Sequence, residues 1–404
     1  MKHPSETSIL DFTYALPPEK IAGYPVDKRD ESKLLVFKNK KISEGLFKAI
    51  PDLLKPETLL VFNNARVIPA RLLFLNSNGK AIELFCLEPE AEYQDLSLAL
   101  ATKGKVRWHC LVGNLKHWRE EMLRLNKGAI LLDAKSVARN TSYVTVEFTW
   151  KPEELSFAEV LQAVGQMPIP PYLKRASEAV DELRYQTVYA QQEGSVAAPT
   201  AGLHFTKEIL EELGKRSIHS TSVVLHVGAG TFKPVKSETM HGHDMHTEWM
   251  EVERNTLLRL LEQDKNDIIA VGTTSLRTLE TLYWMGVKAL LNPSIHLEEL
   301  EIKQWDAYEQ KGELPDTRNS LLALLRWLDE YHLTKLICKT QILIAPPYQL
   351  KVATGLITNF HQPQSSLLLL IGAIVGDDWK KIYAYALANN FRFLSYGDSS
   401  LLLK

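Results

Sequence analysis

The chain has 404 residues, 45% hydrophobic and 24% charged, with 47 Lys and Arg against 49 Asp and Glu for a formal net charge of −2. One hydrophobic core rarely organises that length, so two domains are expected. The near-neutral balance excludes a bulk polycation that coats nucleic acid, while leaving room for a local basic patch. The cysteines Cys86, Cys110 and Cys338 stand far apart with no C-x-x-C spacing, which argues against zinc fingers and iron–sulfur clusters and suits a reducing compartment. No apolar signal segment follows Met1, and the longest apolar run, near 367–375, is too short to span a bilayer. A cytoplasmic protein with no membrane partner is expected.

In chain order, apolar runs at 33–37 and 58–62 predict strands, the second ending in Asn63-Asn64-Ala65-Arg66. From 71 to 150 the texture changes. Short period-two runs such as 81–85 and 143–148 alternate with Asn/Gly turns such as 76–80, which predicts antiparallel β structure. The expected fold is therefore an α/β main domain, 1–70 and 151–404, with an inserted small antiparallel β-barrel domain at 71–150. Inside the insert, Lys103, Lys105, Arg107, Lys116, Arg119, Arg124 and Lys127 face only Glu120 and Glu121, with Trp108 and Trp118 interleaved. The simpler reading is a solvated face with two half-buried tryptophans. The sharper one is a nucleic-acid surface, cations on phosphates and aromatic faces on bases.

Past 150 the α/β texture returns. Helices are predicted at 157–166, 207–215, 321–331, 365–375 and 379–389, and strands at 222–227, 267–272 and 341–344. Glu159 has no obvious partner and carries no catalytic weight. Residues 390–398 read as a terminal strand, a pocket wall, or both. Residues 286–338 are charge-rich and partly helical.

Four polar words could carry chemistry. The run from Gly194 to Thr206, including Pro199, Thr200 and His204, has too little apolar bulk to fill a core and reads as a shaped loop. His226-Val227-Gly228-Ala229-Gly230 lacks the third glycine of a dinucleotide loop, so a turn between strands is the better reading. Gly272-Thr273-Thr274-Ser275 joins a buried strand to a helix whose free amides favour an anion, with Arg277 placed to hold a carboxylate. Thr358-Asn359-Phe360-His361-Gln362 stands at a strand–helix junction, where Asn and His orient a substrate and move protons. A fifth word, His241-Gly242-His243-Asp244-Met245-His246-Thr247-Glu248, has the residue types of a metal site but no second ligand cluster. Polar turns after buried strands are how α/β enzymes build a pocket.

Taken together, these words resemble the S-adenosylmethionine:tRNA ribosyltransferase-isomerase family of queuosine biosynthesis, from Asp11-Phe12-Thr13-Tyr14 to Ser395-Tyr396-Gly397-Asp398. Tyr185-Gln186-Thr187, Ala197-Ala198-Pro199-Thr200-Ala201-Gly202-Leu203-His204 and His246-Thr247-Glu248 are among the strongest. The resemblance implies transfer and isomerisation of the ribosyl part of S-adenosylmethionine onto 7-aminomethyl-7-deazaguanine at the tRNA wobble position. Epoxyqueuosine forms, and adenine and methionine are released. It implies no metal and no cofactor beyond the co-substrate S-adenosylmethionine; a monomer is expected. His204, His226 and His361 are then expected to supply base and acid, in an unassigned order, with Tyr396 and Asp398 facing the sulfonium or the ribose. Tyr185, Gln186, Thr187, Pro199, Thr200, Gly228, Gly230, His246, Glu248, Thr273, Thr274, Arg277, Asn359 and Tyr396 are expected to bind substrate. Arg66, Arg71, Lys103, Lys105, Arg107, Lys116 and Arg119 are expected to meet tRNA. This chain departs from the family pattern with Asn64-Ala65 in place of Asp-Thr and Gln362 in place of Leu. Two alternatives stay open: a metal-dependent hydrolase using His241, His243 and His246, and a noncatalytic tRNA-binding relative.

Overall fold

The computed structural model describes residues 3–90, 92–93, 96–119, 122–141, 143–228, 237–263, 267–310 and 312–403. Four strands precede the insert: β1 (Lys33–Lys38), β2 (Lys41–Leu46), β3 (Leu59–Asn63) and β4 (Ala65–Val67). Six follow: β5 (Arg71–Leu75), β6 (Ala81–Pro89), β7 (Lys105–Gly113), β8 (Leu123–Lys127), β9 (Ile130–Arg139) and β10 (Val144–Lys151). They close a barrel in the order β10-β7-β6-β5-β8-β9, all pairs antiparallel. Its interior is set by period-two alternation. Leu72, Phe74, Ile82, Leu84, Val106, Trp108, Cys110, Val146 and Phe148 point inward.

The helix Phe157–Val164 plugs the barrel with Phe157, Val160 and Leu161. Its first turn is held by a capping box, in which Ser156 Oγ accepts from the Glu159 amide and the Glu159 carboxylate accepts from the Ser156 amide. Glu159 thus has a partner after all, three residues upstream.

The main domain is built on β11 (Gln192–Ser195), β12 (His219–His226), β13 (Glu248–Glu253), β14 (Ile268–Val271), β15 (Lys335–Thr340), β16 (Gly355–Asn359) and β17 (Ser399–Leu403) with the first four. Among the described residues, nine of these strands form one mixed sheet in the order β15-β13-β12-β3-β14-β16-β17-β1-β2. β12 and β14 flank β3 in parallel, and β16 runs parallel to β14. Both faces of this centre are covered, so β3, β14 and β16 are buried along their whole length. The helices Thr273–Leu291 and Thr317–Glu330 cover one face, and Lys207–Lys215 the other. The expected fold class, an α/β domain carrying a small antiparallel barrel, is the one observed.

Two predicted strands move. The strand expected at 341–344 is β15 at Lys335–Thr340; Ile342, Leu343 and Ile344 are buried but unpaired, lying under helices instead of in the sheet. Residues 390–398 are a turn, because Asn390 and Leu394 take φ of +57° and +70° and fold the chain back. Residues 286–338 form part of the helical layer. Ser320 Oγ donates to the Tyr283 carbonyl between its two long helices. Among the described residues, no helix is long and apolar enough to cross a membrane.

Candidate active site

The parallel strands β3, β12, β14 and β16 end on one side of the sheet. In an open α/β sheet that side holds the ligand crevice. Val227 follows β12, Gly272, Thr273 and Thr274 follow β14, and Thr358 and Asn359 end β16, with Phe360, His361 and Gln362 next. The segment Ala197-Ala198-Pro199 and the 3-10 helix Thr200–His204 fold over this edge. Together with Tyr172, Ser365 and Ser395 they wall a cavity of about 100 Å³. Four remote words of the sequence therefore meet in one place.

The loop is pinned at both ends. Ser195 Oγ donates to the Ala197 carbonyl at 2.7 Å and accepts from the Val227 amide at 3.3 Å. Behind it, Gly202 packs so tightly that a Cβ there would stand 1.9 Å from the Tyr189 hydroxyl. On the other wall, Gly272 takes φ +91° to turn β14 into the 19-residue helix Thr273–Leu291. Among the described residues no side chain caps that helix, and its first residues, Thr273 and Thr274, line the cavity. Thr274 Oγ1 is buried there without a hydrogen-bond partner among the described residues. Among the described lining residues none is Asp, Glu, Lys or Arg.

The three histidines part ways. His361 is on the wall, with Nε2 2.9 Å from Thr358 Oγ1. His204 lies behind it, Nδ1 at 2.8 Å from Ser32 Oγ and Nε2 at 3.2 Å from Asn359 Nδ2. Burial pushes both imidazoles down to about 3. Both are neutral at pH 7. His226 ends β12 with Nε2 3.2 Å from Glu251 Oε1, and its Nδ1 is buried without a hydrogen-bond partner among the described residues. The His226 imidazole, then Lys335, hold the Glu251 carboxyl down to about 2.

Several predicted binding residues face elsewhere. The Asp398 carboxylate accepts from the Lys33 and Arg392 amides at 3.0 and 2.8 Å and pairs with Arg392. It is a buried clasp between two chain segments and does not line the cavity. Tyr396 donates to Asp181 Oδ1 at 2.6 Å, a carboxylate already gripped by Arg175, and Tyr185 packs edge-on against Tyr396 at 5.8 Å. Gln186 clasps both backbone groups of Val67. Thr187 backs Gly202. Arg277 does not line the cavity; its Nη1 is paired with Glu248 and its Nε donates to the Ile342 carbonyl. His246 is exposed, and His241, His243 and His246 form no metal-binding group among the described residues. Gly228 is partly exposed next to Val227, and Gly230 lies outside the described residues. Pro199, Thr200, Thr273, Thr274 and Asn359 do line the cavity.

The departures from the family pattern also separate. Gln362 is on the cavity wall. Asn64 instead lines a second groove, of about 530 Å³, where its Nδ2 stands 3.3 Å from Ser222 Oγ. Two contributors, Tyr172 and Ser32, escaped the sequence reading, whereas Ser395 falls in the stretch 390–398 already read as a pocket wall. Tyr172 and Ser395, hydrogen-bonded to each other, line the wall. The proline-rich turn Pro168-Ile169-Pro170-Pro171 before Tyr172 was the available signal. Ser32 carries no signal of its own.

On the barrel, the basic stretch splits in two. Lys105 and Arg107 are paired with Glu147 at 3.1 and 2.9 Å, and Arg107 also faces Glu90. Arg71 faces Glu83 at 3.6 Å and stacks over Phe85. Lys103 and Arg66 are exposed. Lys116 and Arg119 are exposed at the far end. There burial, and then the charges of Lys80, Lys116 and Arg119, hold His117 below its ordinary value. Trp108 and Trp118 are each 1% exposed, so neither can receive a base. Both belong to the barrel core, contrary to either reading of the stretch.

Residues 9–402 match the family model described as "Queuosine biosynthesis protein". The chain is 36% identical over 406 residues to the S-adenosylmethionine:tRNA ribosyltransferase-isomerase of Thermotoga maritima, covering 98% of this chain and 99% of that one. It is 36% identical over 399 residues to the protein of the same name in Legionella pneumophila, covering 97% and 99%. A crystal structure of S-adenosylmethionine tRNA ribosyltransferase from Thermotoga maritima aligns over 97% of this chain and 100% of that chain, at 27% identity and a TM-score of 0.46.

Proposed function

The chain belongs to the S-adenosylmethionine:tRNA ribosyltransferase-isomerase family of queuosine biosynthesis, and on that premise we propose how its cavity serves the reaction. The substrates are S-adenosylmethionine and a tRNA bearing 7-aminomethyl-7-deazaguanine at the wobble position. The product is epoxyqueuosine in tRNA, with adenine and methionine released. One observation carries this reading: the free N-terminus of the helix Thr273–Leu291 opens into a cavity with no charged side chain among its described lining residues. A helix N-terminus favours a carboxylate, and an uncharged wall tolerates a sulfonium.

Size limits how much of the co-substrate enters. The cavity holds about 100 Å³, against the ~300 Å³ at which ordinary ligand pockets begin. The methionyl end enters, and the adenosyl end stays at the mouth, where an incoming nucleobase amine reaches the ribose. The sulfonium acidifies the protons on the neighbouring ribose carbon. A base removes one, the amine attacks, adenine leaves with a proton, and methionine follows.

Of the three histidines, His226 has a carboxylate partner that fixes Nε2–H and an Nδ1 without a hydrogen-bond partner among the described residues, the arrangement of a general base. His361 stays a neutral wall group. Lys80, Lys116 and Arg119 give tRNA phosphates an anchor at the end of the barrel. The reaction requires no cofactor beyond the co-substrate, and a cytoplasmic site of action fits its tRNA substrate.

A single-turnover assay tests the reading. Protein mixed with S-adenosylmethionine and precursor-bearing tRNA should release adenine and methionine in equal amounts, matched by modified tRNA. tRNA binding without adenine release would make the chain a noncatalytic relative and overturn the proposal.

A further inference from the structure

Asn359 ends β16, lines the cavity, and is 3% exposed. Its Nδ2 stands 3.2 Å from His204 Nε2 and 3.5 Å from the Gly397 carbonyl oxygen. A carbonyl oxygen only accepts, so the amide nitrogen faces Gly397 and His204 and Oδ1 faces away from them. Oδ1 is buried and has no hydrogen-bond partner among the described residues. His204 therefore accepts at Nε2, carries its proton at Nδ1, and donates to Ser32 Oγ at 2.8 Å. The ring is further wedged against Phe47, with centroids 5.1 Å apart. Three remote segments thus fix the direction of one amide oxygen.

An orphaned buried acceptor is expensive unless a ligand completes it. The neighbouring strand says which donor suits it. Val271 and Ile357 are in parallel register, and the Gly272 amide donates to the Ile357 carbonyl at 2.8 Å. The open amides after Gly272 and the side chain of Asn359 therefore stand side by side on the same cavity edge. A carboxylate held at those amides, when it belongs to an α-amino acid, has an ammonium one carbon away. With no acidic side chain among the described lining residues, a neutral oxygen is the acceptor on offer.

We propose that Asn359 Oδ1 accepts the α-ammonium of the methionyl end of S-adenosylmethionine, and that His204 and Ser32 are positioning residues that aim it. This rests on the reading that the cavity takes the methionyl end. It moves His204 from proton transfer to orientation. Thr274 Oγ1, also buried without a partner among the described residues, adds a polar group on the same wall.

Calorimetric titration with S-adenosylmethionine and with its desamino analogue tests the assignment. Wild-type protein should bind the parent about 10- to 100-fold more tightly than the analogue, the range of one charge-assisted hydrogen bond. Asn359→Leu should remove most of that preference while changing analogue affinity less than about 3-fold. His204→Phe should act the same way, and the double variant should be no worse than Asn359→Leu, since both changes break one contact. Should His204→Phe not fold, Ser32→Ala, which removes the hydroxyl at Nδ1 and leaves the ring's Arg29 backbone contact, takes its place and should lose part of the preference. Equal losses for both ligands in Asn359→Leu, or an undiminished preference in the His204 and Ser32 variants, would overturn the proposal. Wild-type protein that binds both ligands equally sinks the clamp alone. Wild-type protein that binds neither sinks the cavity reading with it.

Discussion

The Arg277 guanidinium and the Glu248 carboxylate form an ion pair closed to water, at 7% and 4% exposure. It joins the first turns of the helix Thr273–Leu291 to the start of β13, and so braces the helix whose N-terminus faces the cavity. Removing one member of such a pair leaves a buried charge uncompensated, at about 3–5 kcal/mol. Glu248→Ala should lower the unfolding free energy by that amount in urea denaturation. A loss below about 1 kcal/mol would show that water reaches the pair.

Stability should also respond to acid in a defined window. Burial lowers His204 and His361 from an ordinary 6.5 to about 3. Between those values the unfolded chain binds protons at both sites and the folded chain does not. Stability therefore falls as pH drops from about 6.5 towards 3, by at most ~1.4 kcal/mol per pH unit for each imidazole. Denaturation midpoints measured across this range should show a shallower decline in His361→Phe than in the unaltered protein. Equal slopes would mean that His361 is solvated.

Gly202 tests the loop. A Cβ there would meet the Tyr189 hydroxyl at 1.9 Å and Thr187 Cγ2 at 2.8 Å, so Gly202→Ala must displace the segment that roofs the cavity. The expected result is about 1–3 kcal/mol of destabilisation together with weaker S-adenosylmethionine binding. Unchanged affinity in a destabilised variant would separate this loop from the ligand.

Much of the site was legible in the sequence because its words are chemically odd. Small and hydroxyl-bearing residues directly after apolar strands read as pocket edges, and parallel strand order brings their ends together. Orientation was the harder part. The parity of β7 did hold the answer for Trp108, which shares its side of the strand with Val106 and Cys110 and is opposite to Lys105 and Arg107. Ser156 and Glu159 likewise had capping-box spacing. Partners set by tertiary folding had no such signal. Arg277 meets a carboxylate 29 positions away only because β13 lies beside that helix, and Asp398 is engaged by two backbone amides that no pattern reveals.

The split of the basic stretch makes the tRNA surface testable. Lys105 and Arg107 already have carboxylate partners, whereas Lys116 and Arg119 are exposed beside Lys80. Lys116→Glu with Arg119→Glu should weaken tRNA binding and lower the slope of log affinity against log salt by roughly 1–2. Lys105→Glu with Arg107→Glu should weaken it less. The reverse ranking, measured by filter binding across salt concentrations, would place tRNA on the other side of the barrel.

Everything in the chemistry depends on where the sulfonium sits. Crystals soaked with the selenium analogue of S-adenosylmethionine would locate that atom directly by its anomalous scattering. A single strong peak should appear in the cavity bounded by Thr274, Asn359 and His361. A peak in the groove lined by Asn64, Ser222 and Arg259, with the cavity empty, would contradict the assignment.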